Sequence, residues 1–149
     1  MKTSKRFNNA IKKLYTAFHQ DRLNPEDCKQ CAVGNILDQS DHWKHLTDVH
    51  GSLKLNYLGR IHQSFGRQFN GYSPLELLQI EAAFLKGCGY KLSSKLRLFK
   101  PDNINKEVLF KGLSEVVAHL CYLDNMPNVM DCDQLFNKAM NLSEPLKSY

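Results

Sequence analysis

Ser73-Pro-Leu-Glu-Leu-Leu-Gln-Ile-Glu-Ala-Ala-Phe-Leu-Lys-Gly-Cys-Gly89 decides how this chain is read. Ser73 followed three residues later by Glu76 is a capping box, and Pro74 stands at the first helical position, where its missing N–H is not needed. Leu77, Leu78, Ile80, Ala82, Phe84 and Leu85 then make the helix apolar on most sides. A helix with that pattern belongs at the centre of a fold, with other elements packed around it. Gly87-Cys88-Gly89 ends it.

Outward from this helix, spacings of three and four recur. Phe7, Ala10, Ile11, Leu14, Tyr15 and Phe18 form one stripe along a helix from about Ser4 to His19, with Lys5, Lys12 and Lys13 off the stripe. Asn24-Pro25-Glu26-Asp27 reads as a helix start, and Gly34 as its stop. Ser40 to Leu46 reads as a short capped helix, broken after His50 by Gly51. Leu53 to Leu58 alternates like a strand, but Leu58, Ile61 and Phe65 continue at helical spacing, which favours a helix. Lys91 to Lys100 is basic, lacks acids and stops at Pro101, so an exposed loop is expected. Val108 to Leu123 is the longest late helix, a last one covers Cys132 to Met140, and residues 143–149 form a frayed tail.

The expected architecture is therefore all-α, a single domain over residues 1–149, in one bundle of about six or seven helices. With 149 residues, of which 42% are hydrophobic, the chain supports one ordinary core and not two. No apolar stretch approaches the roughly 20 residues a bilayer span requires. Five cysteines, an odd number with one tight pair, fit reduced thiols better than a secreted disulfide framework. The basic first residues lack the apolar run and small-residue cleavage site of a leader, so the cytoplasm is the expected location.

One local motif has defined chemistry. Cys28 and Cys31, separated by two residues, are followed by His45 and His50, within the spacing used by four-ligand zinc sites. Two cysteines on the first turns of a helix would offer their sulfurs to one side, where free amides favour thiolate. His42, three residues before His45, is an alternate for His50, and Cys88 is an alternate that would add a third sulfur. With all four positions filled by protein, such an ion is structural, and the working part becomes a surface for a protein partner. The same residues carry two alternatives: an iron–sulfur centre using Cys28, Cys31 and Cys88, or a redox dithiol at Cys28 and Cys31. Unliganded structural cysteines are the plain alternative to all three.

Three stretches carry a resemblance: Asn24 to Ile36 around the cysteine pair, Trp43 to Tyr57 around the histidines, and Tyr72 to Tyr90 around the central helix. Together they resemble a small bacterial family named after the NADH-oxidising subunit of the sodium-translocating NADH:quinone reductase. That subunit joins a membrane anchor and a plant-type iron–sulfur domain to a flavin- and NADH-binding domain. The present sequence has neither the long cysteine series of plant-type ferredoxins nor a glycine-rich dinucleotide fingerprint. What the resemblance implies here is confined to the iron–sulfur alternative.

The formal charge of +5 is concentrated at the amino end, where residues 1–22 hold six Lys or Arg against one acid. With the basic 91–100 stretch this raises nucleic-acid binding as a further alternative, although arginines are not clustered. For catalysis the sequence offers no nucleophile beside a base. Glu76 and Glu81 share the central helix but stand five apart, Glu115 and His119 read as a surface pair, and His62 reads as a helix-surface residue. No catalytic residue is expected, and an enzyme is the less favoured class.

Overall fold

The computed structural model describes residues 4–92, 98–101 and 103–127. They are mostly helical: α1 Lys5–His19, α2 Ala32–Ile36, a 3-10 turn at His42–Leu46, α3 Tyr57–Ser64, α4 Pro74–Gly87 and α5 Lys106–Leu123. Among the described residues the five α-helices are fewer than the six or seven helices expected, the short helix expected at Ser40 to Leu46 being a 3-10 turn. The helix expected over Cys132 to Met140 and the tail at 143–149 lie outside the described residues.

α1 and α4 start where the sequence places them. The Ser4 hydroxyl accepts the Phe7 N–H, and the Ser73 hydroxyl accepts from Glu76 N while Glu76 accepts from Ser73 N. α4 runs through the middle, packing most extensively on α5, with α2 and α3 also against it and α1 lying across α2 and α5. The α4–α5 crossing is close because Gly112 has no side chain: a Cβ there would come within 2.4 Å of Cys88 Sγ and 2.9 Å of the Phe84 ring. Leu77, Ile80, Phe84, Leu113, Val116 and Leu120 fill the seam with no exposure. Arg6 clasps the ends of three helices, its Nε donating to Asp124 at 2.7 Å, its Nη1 to the Gly71 carbonyl at 2.8 Å, and its plane lying over Tyr72.

Four local expectations are corrected. Residues 24–31 are a series of turns, not a helix: the Asn24 side chain accepts from Glu26 N and the Asp27 side chain from Lys29 N, so the groups expected to cap a helix close tight turns instead. The helix begins only at Ala32, with Cys31 as its cap. Gly34 does not stop it either. Gly34 lies inside α2 because a Cβ at this position would sit 2.3 Å from the Cys28 carbonyl. Leu53–Asn56 is irregular, and α3 starts after Asn56, whose side chain caps Gly59 N. Finally, the basic stretch after Gly89 is not wholly loop, since Lys91–Leu92 pairs antiparallel with Leu98–Phe99.

A buried carboxylate between thiol and imidazole

Glu81 is the unexpected residue. It stands on the core side of α4 with Leu77, Phe84 and Leu85 near it in sequence, and is only 1% exposed. A carboxylate in such a place needs partners. His50 Nε2 lies 2.7 Å from Glu81 Oε2, and the Val33 N–H at the start of α2 faces Oε1 at 3.5 Å. The Cys31 thiol is the third neighbour, near enough for the charge of the same carboxylate to act on it.

Cys31 has no exposure, receives the Gly34 N–H on its sulfur at 3.3 Å and points its S–H toward the Cys28 carbonyl at 3.5 Å. Burial pushes its thiol well above the ordinary value, the charge of Glu81 pushes in the same direction, and the Gly34 N–H only partly opposes them. Cys28, half-buried in the preceding turn, is raised by burial first and by Glu81 second. Both thiols are thus held protonated. A redox dithiol needs the reverse, a lowered thiolate pKa.

Trp43 is the wall of this hub. Its indole N–H donates to the Cys28 carbonyl at 3.0 Å and its ring meets His50 edge-on at 5.8 Å, which fixes both the cysteine turn and the imidazole. Because Trp43 points inward, His42 and His45, on either side of it in the 3-10 turn, point outward and are exposed. They line a surface groove together with His62.

The expected ligands are therefore divided. His50 contacts Glu81, whose charge also acts on Cys31 and Cys28, while His45 and its alternate His42 belong to the groove. Cys88 caps the far end of α4, packed against Gly112, its thiol raised to about 12 by burial and Glu81. Among the described residues, no three His, Cys, Asp or Glu side chains stand together as a ready cage for an ion. None of the four described cysteines is in a disulfide.

Glu81 was visible in the sequence only as a misfit, one acid inside the apolar pattern Leu77, Leu78, Ile80, Phe84, Leu85. Its distance of five residues from Glu76 hid it, because pairing along one helix needs a spacing of three or four and its true partners lie on other segments. His119 likewise turns to another helix, with Nε2 3.2 Å from Gln79 Oε1, rather than forming the surface pair expected with Glu115. Comparison with known proteins adds nothing to this geometry: no family model, no curated protein and no solved structure matches the chain.

Proposed function

We propose that this protein is a cytoplasmic helical accessory module that takes a soft divalent ion, zinc in the first place, at Cys28, Cys31 and His50, with Glu81 in the position expected of His45. The observation that carries this reading is the buried carboxylate: Glu81 holds the His50 imidazole at 2.7 Å, and its charge acts on the thiols of Cys31 and Cys28. Two sulfurs, one imidazole nitrogen and one carboxylate oxygen are a donor set that zinc accepts. An ion there replaces the two thiol protons, so that two thiolates, the carboxylate and the dication leave the net charge of the site unchanged. Loading requires the side chains to draw together and His50 to exchange its hydrogen bond for the metal, so binding and a rearrangement are coupled.

A site closed by four protein ligands has no open position for water, and the ion's role is structural. The working part is then a surface for a protein partner. Tyr57, Leu58 and Phe65, on and just after α3, are exposed at 73%, 44% and 82% and offer apolar contact area. No helix among the described residues is long and apolar enough to cross a membrane. The nucleic-acid alternative loses cations it would need, since Arg6 is bound to Asp124 and Lys13 to Asp38 and the Ile36 carbonyl.

Elemental analysis of the full chain after zinc loading and gel filtration tests the reading. About one zinc per chain is expected, lost in Cys31→Ser and His50→Ala, weakened in Glu81→Gln and unchanged in His45→Ala. Absence of zinc from the folded wild-type chain, with an unaltered melting temperature, refutes it. Visible absorption after anaerobic purification would instead identify an iron–sulfur centre.

A further inference from the structure

The outward groove is a second place where chemistry-bearing side chains gather, and the ion site does not use it. Three of the six histidines of the chain, His42, His45 and His62, line it with Arg67. The 3-10 turn repeats every three residues, so His42 and His45 lie above one another on one face. His62 arrives from α3 and meets Phe69 edge-on at 6.0 Å, and the Arg67 guanidinium lies over the same ring at 5.4 Å. Phe69 thus presents a cation and an imidazole to the same opening.

Among the described residues, no acidic side chain lines the groove. Of the nearby acids, Asp41 pairs with Lys44 at 3.2 Å, and Asp38 pairs with Lys13 at 2.8 Å and accepts from Asn70 at the groove's edge at 3.4 Å. Its apolar lining comes from Trp43, Leu46, Leu58 and Phe69, and its volume is about 550 Å³. Positive and donor groups over aromatic and aliphatic walls select a ligand with an anionic end and a flat, apolar body.

We propose that this groove binds a nucleoside monophosphate, with Arg67 and the imidazoles of His45 and His62 on the phosphate and the base against Phe69 and Leu58. A guanidinium matches the phosphate oxygens with paired N–H donors, which an ammonium does not. The proposal stands apart from the ion site, since it needs neither cysteine and neither His50 nor Glu81.

Trp43 is the only tryptophan in the chain, so its fluorescence reports on the groove without labelling. The full chain is titrated in chelator with adenosine monophosphate, adenosine and inorganic phosphate, with calorimetry as a second readout. Saturable binding of the monophosphate is expected, with adenosine and inorganic phosphate each weaker by about tenfold or more. Arg67→Ala and His62→Ala should each weaken the monophosphate by about tenfold, with helical circular dichroism unchanged, whereas Lys100→Ala leaves it as it was. No saturable binding by the folded wild-type chain, equal affinity for inorganic phosphate, or indifference to both groove substitutions overturns the proposal. Because chelator is present throughout, none of these outcomes bears on zinc.

Discussion

Glu81 shows how much one side chain can organise when it is placed against its nature. A buried carboxylate is tolerated only where its charge is met, and here His50 meets it at 2.7 Å. Removing the imidazole leaves the charge stranded. His50→Ala should therefore destabilise the fold by about 2 kcal/mol, less than a fully buried pair would give, because the His50 side chain is 27% exposed. Adding Glu81→Leu to that variant removes the stranded charge and should restore at least half of the loss. Urea denaturation of the wild type, the single variant and the double variant measures both steps, and an additive double variant would show that the two residues do not act as a pair.

Among the elements, α4 has the strongest local signals and the tightest neighbour. Its capping box satisfies two end groups at once, and Ser73→Ala should lower stability by about 1 kcal/mol, read as a shift in melting temperature. Its crossing with α5 is a matter of space. Gly112→Ala puts a methyl group 2.4 Å from Cys88 Sγ, a distance that atoms do not share, and should destabilise by about 1–3 kcal/mol. Trimming the neighbour in a Gly112→Ala, Cys88→Ala chain should recover part of it. If Cys88→Ala adds its own loss on top, the sulfur is not what the new methyl meets. α2 is the contrasting case, five residues long, with its place set by the Cys28–Lys29 turn lying over Gly34 rather than by its own helical tendency.

For the molecule as a whole, the buried acids that stay neutral predict its response to alkali. Cys31 and Cys88 are raised by burial and Glu81, and Tyr90 is raised to about 12, mainly by burial. In the unfolded chain these groups ionise at their ordinary values, so above a thiol pKa of about 9 the unfolded state releases protons that the folded state keeps. Stability must then fall as pH rises, by about 1.4 kcal/mol per unit for each thiol held protonated. Urea midpoints at neutral pH and one unit above the thiol value should differ accordingly, and equal midpoints would contradict the burial of these sulfurs. At the acid end the sign is set by His119, lowered by burial against the opposing charge of Glu76: its folded form resists the proton, so its contribution weakens stability as pH falls.

What the linear order of residues determined is the part of the fold governed by neighbours along the chain. The stripe from Phe7 to Phe18, the capping box at Ser73 and the apolar run of α4 and α5 were legible because a helix brings residues three and four apart onto one face, whatever else surrounds it. The turns at 24–31 were not, since Asn24 and Asp27 have the same side-chain chemistry in an Asx turn as at a helix cap, and only the Cys28 carbonyl lying over Gly34 decides between them. Tertiary structure alone sorted the histidines, sending His50 inward to Glu81 and leaving His42 and His45 outside, because Trp43 occupies the wall between them. Partners drawn from separate segments are chosen by distance in space, and no spacing in the chain encodes that distance.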